Sequence, residues 1–407
     1  MIVQRIEKHL IKESNPYYSL LEEFCFKSKN LYNSANYQIR QEFIKNNKYI
    51  DYYDMDKIMK NLVNEDYPNN YREMPTAQSA QQCLKLLDKN WKSYFKAIKD
   101  WKKHPEKYLG MPKLPKYKKK NSKNILILTN FNCKLKEGYI KFPKVFNGFN
   151  LKTNVSNLQQ IRILPKSNYF IIEVIYNKNI QELKEDNYRY VSIDIGVNNL
   201  AALTNNCSKI FQLINGRKLK SINQYYNKKI AYYKELAKRM NNLDNTRRID
   251  CITKKRNNLI SDLLHKASKK VIEYTLNCEA NIIVIGKNDN WKQESSMDKI
   301  NNQNFVQIPH AELINKIIYK AEEYGIKVIL TEESYTSGTS FLDNELPIKE
   351  LYNKKRRVKR GMFISNKKKK INADINGSLQ IMKKVFPNAF KGHGIEDCGF
   401  NPVKVEL

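Results

Sequence analysis

The sequence lacks any stretch of apolar residues long enough to cross a membrane. Its first residues, MIVQRIEKHLIKES, are also too highly charged for a secretory signal peptide. We therefore expect a soluble, cytoplasmic protein without a membrane partner. With 407 residues, the chain exceeds the size that one hydrophobic core usually serves, so two or three domains are expected.

Paired cysteines are also lacking, because the seven cysteines are scattered and no two of them form a Cys-x-x-Cys motif. Such motifs mark most zinc ribbons, and regular cysteine spacings mark disulfide frameworks. The sequence therefore predicts reduced, mostly buried thiols. They belong to Cys25, Cys83, Cys133, Cys207, Cys251, Cys278 and Cys398.

Acidic residues are scarce relative to basic ones. Lys and Arg number 73 against 41 Asp and Glu, which gives a formal net charge of +32. A surplus of this size destabilises the compact state by self-repulsion unless a polyanion neutralises it, and nucleic acid is the first candidate. The 26 Tyr and 16 Phe supply rings on which bases can stack, although most are expected in the core. An anionic membrane surface is a weaker candidate, because the sequence shows no lipid-facing amphipathic helix and no lipidation signal.

The first 110 residues are predicted to be mainly helical. The clearest helix runs from Thr76 to Trp101, with apolar residues at three- and four-residue steps. The apolar stripe is expected in the core and comprises Ala80, Leu84, Leu87, Trp91, Phe95 and Ile98. The opposite face lies either along a phosphate backbone or in solvent, and the pattern alone favours solvent. Its residues are Gln81, Lys85, Lys89 and Lys92.

A Pro- and Lys-rich segment, residues 110–124, separates this helical part from a series of short strands. The strand-like runs before residue 177 predict a small antiparallel β unit. After about residue 187, strands alternate with helices, which indicates a mostly parallel sheet. Helices are predicted at about 219–240, 254–278 and 310–324, and from about 372.

A carboxylate interrupts the strand that opens this last region. Val191, Ile193 and Ile195 alternate as in a strand with one buried face, and Asp194 lies on the other face. Taken alone, the pattern favours a strand at a sheet edge with Asp194 in water. Other carboxylates close to Asp194 would instead indicate a functional site.

Two further carboxylate positions lie in similar surroundings. Asp374 shares a helical face with Ser378 and Ile381, so it either points inward, where an unpaired charge is costly, or interacts with the helix dipole in the first turn. Glu332 and Glu333 follow an apolar strand, at the end where ligands of open α/β sheets gather. In the alternative interpretation, Glu332 and Glu333 are both charged side chains exposed to solvent.

Taken together, these positions favour a metal-dependent site. Three carboxylates brought together would repel one another and retain protons, whereas a divalent cation reverses this effect. Ligands that are all oxygen suit Mg²⁺, with Mn²⁺ as an alternative. Two such ions can activate a water molecule and stabilise the leaving oxygen of a phosphodiester.

The motifs around these residues resemble those of the transposon-encoded TnpB family, relatives of the type V CRISPR effector nucleases. SIDIGVNNLAALT is similar to the first RuvC motif, and GIKVILTEESYTS to the segment that leads into the family's Tyr-Thr-Ser. RGMFISNKKKKINADINGSLQIMKKV resembles the third motif, and PKLPKYK the Pro- and Lys-rich entry to the family's β unit. The resemblance extends over nearly the whole chain.

The resemblance implies a multidomain protein with α/β, all-β and all-α parts. Its nuclease domain is an RNase H-like (RuvC) mixed sheet with helices, expected at 187–407 with a helical insertion at about 219–280. A β-barrel wedge domain is expected at 1–14 and 110–186. A helical recognition lobe is expected at 15–109.

The chain departs from the family pattern at the second motif. The strand that usually ends in the second-motif Glu ends here at Gly286. Some relatives resemble this chain in placing a Glu two residues before Tyr-Thr-Ser, which corresponds to Glu333. The resemblance therefore implies Asp194, Glu333 and Asp374 as catalytic metal ligands, with Glu332 as the alternative to Glu333.

The second departure is the absence of the two Cys pairs that many relatives carry after Tyr-Thr-Ser, so no structural zinc is expected. The segment is basic instead, and it either holds nucleic acid near the site or is solvated. Nucleic-acid contacts are predicted for Gln81, Lys85, Lys89, Lys118, Lys119, Lys120, Lys355, Arg356, Arg357, Lys359 and Arg360.

The function implied by the resemblance is RNA-guided cleavage of DNA. A guide RNA derived from the end of the transposable element would pair with double-stranded target DNA next to a short flanking motif. Gly286 favours an alternative, a regulator that binds DNA under RNA guidance without cutting it. The acidic triad also fits a transposase that acts without RNA, or a junction resolvase. We expect a monomeric bacterial protein that associates with the nucleoid through DNA.

Overall fold

The computed structural model describes residues 1–62, 69–287, 307–359, 361–391 and 401–407. Arg360 and Cys398 therefore lie outside the described residues. The chain forms two compact units, residues 2–179 and residues 180–407, and Met1 belongs to the second. Within the described ranges, no helix combines the length and the apolar character that crossing a membrane requires.

In the unit formed by residues 2–179, the described residues combine three helices with antiparallel sheets. Strands β1, β7, β6 and β2 form a four-stranded sheet in that order, and β3, β4 and β5 form a second sheet. The helices are α1 (Tyr18–Asn46), α2 (Tyr52–Asn61) and α3 (Ala77–Lys103). The strands are β1 (Ile2–Lys12), β2 (Leu126–Thr129), β3 (Lys134–Lys136), β4 (Tyr139–Lys141), β5 (Asn150–Lys152), β6 (Leu158–Pro165) and β7 (Tyr169–Asn179).

Helix α3 forms where its sequence pattern predicts. Thr76 caps it, accepting a hydrogen bond from the Ser79 backbone at 3.1 Å, while Ser79 Oγ accepts one from the Thr76 backbone at 3.2 Å. This reciprocal pair satisfies two donors at the helix start. The apolar stripe packs inward, with Trp91 fully buried against aromatic rings of α1 and α3 such as Phe43 and Phe95.

Among its described residues, the unit formed by residues 180–407 contains a six-stranded mixed sheet and four helices. Its strands are β8 (Tyr190–Ile195), β9 (Asn199–Asn205), β10 (Gln212–Asn215), β11 (Ile282–Gly286), β12 (Lys327–Thr331), β13 (Met362–Ile364), β14 (Lys370–Asn372) and β15 (Val403–Val405). Its helices are α4 (Arg217–Asn241), α5 (Arg247–Asn277), α6 (His310–Glu323) and α7 (Ala373–Val385). This unit adopts a mixed α/β fold, as predicted.

The strand order of the large sheet is β12-β11-β8-β9-β10-β15, and β13 and β14 form a separate two-stranded sheet. The pairs β12–β11, β11–β8 and β10–β15 are parallel, whereas β8–β9 and β9–β10 are antiparallel. The sheet is therefore more mixed than the expected mostly parallel arrangement. Strand β8 is hydrogen-bonded on both sides, so the edge-strand interpretation of Asp194 is wrong.

Helices cover both faces of this sheet. On one face, Val191, Ile193 and Ile195 of β8 pack in the same core as residues of α5 and α6. On the other face, α7 crosses β8 and β9. A hydroxyl cluster fixes that crossing: Ser192 Oγ lies 2.7 Å from both Thr204 Oγ1 and the Ser378 carbonyl oxygen. Because side chains alternate along a strand, Asp194 lies on the same face as Ser192, toward α7.

The assignments of residues 15–109 to a recognition lobe and of 1–14 and 110–186 to a barrel stay predictions. The division between the two compact units falls at residues 179 and 180. The nuclease domain was expected to begin at residue 187.

Candidate active site

Asp194 lies near the end of β8, where helix α7 passes very close to the strand. A Cβ atom at Gly377 would lie 2.6 Å from Asp194 Oδ2, which is too short for any real contact. Glycine is therefore the residue that allows α7 to approach Asp194. The same helix carries Asp374 one turn earlier, so the hydroxyl cluster that seats α7 also positions Asp374 near Asp194.

Glu333 follows the end of β12, and its side chain passes over Gly286 at the end of the neighbouring strand. A Cβ atom at Gly286 would lie 2.5 Å from Glu333 Oε1 and 2.6 Å from Glu333 Cγ. Ile285 pairs with Ile193, so Gly286 is the next residue along β11 and comes level with Asp194. The missing side chain at Gly286 thus leaves the space through which Glu333 extends toward β8.

Glu332 points elsewhere. It is exposed, accepts a hydrogen bond from Ser334 Oγ, and lies 3.8 Å from Lys384 Nζ. Glu333 is half-buried and its charge acts on Asp194. The register assigned from the sequence, with Glu333 facing Asp194, therefore agrees with the geometry.

Asp374 is held by two side chains in the first turn of α7. Asn199 Nδ2 donates to its Oδ2 at 2.7 Å, and Arg357 Nη2 donates to its Oδ1 at 3.2 Å. Asn372 caps the helix start by accepting from the backbone of Asp374 at 3.0 Å. These contacts orient the Asp374 carboxylate with one neutral donor and one cation.

The three carboxylates line one cavity of about 640 Å³, together with the cations Arg217, Arg357 and Lys404. Burial, followed by the nearby charges of Glu333 and Asp374, raises the pKa of Asp194 well above its usual range, while Arg357 opposes the shift. Burial also raises the pKa of Glu333 to about 7, and Lys384 lowers it. Such shifts are typical of clustered carboxylates in catalytic or metal-binding clefts.

The potential ligand atoms in this cavity are carboxylate oxygens, which hard divalent cations prefer. Three negative charges so close together repel one another, and a divalent cation would offset that repulsion. In the described part of the chain, no three His, Cys, Asp or Glu side chains converge closely enough to hold a metal ion as they stand. Asp374 is engaged by Arg357 and Asn199 instead.

Two regions of the chain match known protein families. Residues 173–291 match the OrfB_IS605 family, described as a probable transposase, and residues 310–381 match the TNB domain of Cas12f1-like proteins. The TnpB-like protein ORF457 of Acidianus two-tailed virus is 25% identical over 399 residues, covering 88% of this chain and 81% of the viral protein. The chain is therefore similar to TnpB-like and Cas12f1-like proteins.

A solved structure shares the fold of this chain. Cas12f1, in the cryo-EM structure of its complex with sgRNA and target DNA, superposes with a TM-score of 0.56 at 15% sequence identity. The match covers 89% of this chain and 82% of Cas12f1. At this identity, the similarity establishes the fold and leaves the roles of individual residues to the site geometry.

The predicted nucleic-acid residues of the unit formed by residues 2–179 differ in their surroundings. Lys89, Lys119 and Lys120 are exposed, whereas Lys118 is half-buried, with its Nζ 5.1 Å from the centre of the Tyr32 ring. Lys85 is exposed and lies 5.0 Å from the ring centre of Tyr52. Gln81 is half-buried and hydrogen-bonds to Tyr71. Their nucleic-acid contacts stay predictions.

The residues of the basic run after Tyr-Thr-Ser also differ in their surroundings. Lys355 and Lys359 are exposed, and Arg357 reaches the candidate site through Asp374. Arg356 does not point outward: its Nη1 lies 2.6 Å from Glu345 Oε2, and the two side chains are only 14% and 10% exposed. Its guanidinium is committed to an internal ion pair, which disfavours the predicted contact with nucleic acid.

This ion pair stabilises the segment in which many relatives carry Cys pairs. Glu345 also accepts hydrogen bonds from the Ser340 backbone at 2.7 Å and from Asn366 Nδ2 at 3.2 Å. Asp343 accepts from the Asn366 backbone at 2.7 Å. The absence of a structural zinc stays a prediction, and these contacts provide an alternative means of holding the segment.

We expect Glu345→Ala to lower the free energy of unfolding by about 3–5 kcal/mol, because it leaves the buried Arg356 charge without its partner. Thermal unfolding followed by circular dichroism measures the loss. Glu350→Ala is the matched control, since Glu350 is an exposed Glu five residues later, and it should unfold like the wild type. Equal stability of the two variants would contradict the structural role of Glu345.

Several residues near the site were missed in the sequence. Gly377, Asn199, Arg217 and Lys404 lie in or beside the cavity, and nothing in their local patterns marks them. Asn199 lies five residues after Asp194 and is the first residue of β9, so a prediction of the β8–β9 hairpin would have drawn attention to it. Lys404 comes from β15, which the sequence pattern did not predict.

Proposed function

We propose that this chain is a TnpB family protein, an RNA-guided DNA endonuclease of a transposable element, with Asp194, Glu333 and Asp374 as its catalytic metal ligands. The observation that carries the proposal is the cavity itself. Three carboxylates from β8, the end of β12 and α7 line it, beside three cations. Carboxylates for metal ions, next to cations for phosphate, are what phosphodiester hydrolysis requires.

Each side chain has a distinct task in this proposal. Asp194 and Glu333, both half-buried, would hold Mg²⁺ or Mn²⁺ with Asp374. When bound, these ions supply an activated water and stabilise the leaving oxygen. Asn199 orients one oxygen of the Asp374 carboxylate by donating a hydrogen bond to it. Arg357, which donates to the other oxygen, would also contact the DNA phosphate.

We further propose that the guide RNA derives from the end of the element and that the target is double-stranded DNA beside a short flanking motif. The formal charge of +32 supports such partners, because it needs polyanions to balance it. Within this proposal, residues 187–407 form the RuvC domain, residues 15–109 the recognition lobe, and residues 1–14 and 110–186 the wedge. Monomeric protein and location at the nucleoid belong to the same proposal.

A regulator that binds DNA without cutting is the second candidate, and the observation in its favour is Gly286. If no other carboxylate took the place of the side chain that Gly286 lacks, the site would have no second-motif carboxylate. The passage of Glu333 over Gly286 supports the cutting enzyme instead, since a carboxylate then stands over that position. A transposase that acts without RNA would differ from the endonuclease and the regulator because it would bind DNA without a guide RNA.

The proposal is tested with protein purified from cells that also contain the element's ends. RNA sequencing of the preparation should recover one defined RNA from an element end. This preparation should cut a matched DNA in the presence of Mg²⁺, and EDTA should stop the reaction. Asp194→Ala should lose cleavage by about a hundredfold or more and keep guided binding, because it removes a metal ligand and leaves the basic surfaces intact.

Asp244→Ala is the control, since Asp244 is an exposed Asp in the same unit and away from the cavity. It should cut like the wild type. Guided binding without cleavage by the wild type would favour the regulator. Specific binding to element ends by an RNA-free preparation would favour the transposase.

A further inference from the structure

A second cavity lies in the unit formed by residues 180–407, between α4 and α5, and none of the roles above uses it. It has a volume of about 290 Å³. From α4, four of its lining residues are Tyr225, Tyr226, Lys229 and Tyr233. Their spacing of one, three and four residues places them on one side of the helix, facing α5.

The facing side of α5 contributes further cations. Arg248, Lys255 and Arg256 line the cavity, so four cations and no carboxylate surround it. A seam between two packed helices is normally apolar, because it is shielded from water. Four like charges along such a seam repel one another, and an anion in the cavity would remove that cost.

Acidic residues are few on these two helices. Helix α4 carries eight Lys and Arg against one Glu, and α5 carries eight against three acidic residues. Within the described residues, none of the four cavity cations forms an ion pair with a carboxylate. Arg256 is held by neutral acceptors instead, Asn223 Oδ1 at 2.9 Å and the Gln307 carbonyl oxygen at 3.0 Å.

Three of the cations lie over the tyrosine rings. The Arg248 and Arg256 guanidinium carbons are each 5.5 Å from a ring centre, those of Tyr233 and Tyr226, and Lys229 Nζ is 5.8 Å from that of Tyr225. Rings with adjacent cations are the combination that binds unpaired nucleotides, because the ring stacks on the base while the cation meets the phosphate.

We propose that the cavity between α4 and α5 is a binding site for one unpaired nucleotide of a single-stranded nucleic acid. A cavity of about 290 Å³ has room for one base and excludes a duplex. The site extends the proposed function, from which it takes only the premise that the chain binds nucleic acid. An acidic peptide would satisfy the cations and make no use of the three clustered rings.

The test uses the purified protein with its co-purified RNA, and with a labelled single-stranded RNA of 20 nucleotides as added probe. Ultraviolet cross-linking and mass spectrometry should place a nucleotide on Tyr225, Tyr226 or Tyr233. The double change Tyr225→Ala and Tyr233→Ala should weaken binding of the probe by about five- to a hundredfold, the range that loss of base stacking produces.

Tyr232→Ala provides the matched control. Tyr232 is 58% exposed, close to the 64% of Tyr225, and lies on the same helix outside the cavity. It should bind the probe as the wild type does. Unchanged binding by the double variant, or an equal loss in Tyr232→Ala, would overturn the proposal. So would cross-links confined to a duplex probe, or competition by a poly-glutamate peptide but not by single-stranded DNA.

The two proposals fail in different ways. If guided cleavage is observed but the double variant binds the probe normally, the endonuclease stands and the cavity site is wrong. If the cross-links and the binding loss appear but no guided cleavage occurs with any RNA, the cavity site stands and the endonuclease is wrong.

Discussion

Glu333→Gln is expected to reduce cleavage of matched DNA by about a hundredfold or more while guided binding persists. The substitution keeps the shape of the side chain and much of its hydrogen bonding, and it removes the charge that attracts a divalent cation. A metal ion stabilises the transition state by several kcal/mol, and each 1.4 kcal/mol corresponds to about tenfold in rate. Single-turnover cleavage at saturating protein, with binding measured separately, isolates the chemical step.

Glu332→Gln is the matched control, since it makes the same chemical change one residue earlier. Glu332 is exposed and interacts with Ser334 and Lys384, so most of the cleavage should be retained. If Glu332→Gln loses cleavage and Glu333→Gln keeps it, the two side chains have exchanged roles. If both variants cut like the wild type, the second carboxylate lies elsewhere in the chain.

The positions of the candidate site were largely predictable because each belongs to a local pattern. Asp194 interrupts an alternating strand, Asp374 shares a helical face with buried residues, and Glu333 follows an apolar strand. What periodicity alone could not decide was whether these elements meet. The edge-strand interpretation of Asp194 was wrong because the neighbours of β8 are β9 and β11, and β11 begins 87 residues after β8 ends.

Features that depend on register or on contacts between distant segments were not predicted. The contact of Gly377 with Asp194 depends on where α7 crosses β8, which the hydroxyls of Ser192 and Ser378 fix. The burial of Arg356 depends on Glu345, eleven residues earlier in an irregular segment. No periodicity in the sequence records such pairings, because the segment forms only turns and two short 3₁₀ helices.

Gly286→Ala is expected to lower cleavage by about a hundredfold without loss of guided binding. The new Cβ would lie 2.5 Å from Glu333 Oε1, 2.6 Å from Glu333 Cγ and 2.6 Å from Ile381 Cδ1. Ile381 is fully buried, so the new Cβ must displace this packed side chain as well as Glu333. A displacement of about 1 Å of a positioned group can cost a factor of about 10² in rate. Single-turnover cleavage measures the effect, and Gly110→Ala is the control, since nothing lies within 4 Å of its new Cβ.

The geometry also determines how a carboxylate could be returned to β11. Gly286→Glu combined with Glu333→Gln should be inactive, because the Gln side chain still occupies the space above residue 286. Gly286→Glu combined with Glu333→Ala removes the Glu333 atoms from that space, so only the Ile381 methyl group must shift. The carboxylate then lies on the strand that pairs directly with β8, and the double variant should recover part of the cleavage that Glu333→Ala loses. Recovery in the second combination and not in the first would show that one carboxylate serves the site from either strand. Full activity of Gly286→Ala would instead show that Glu333 reaches Asp194 by another route.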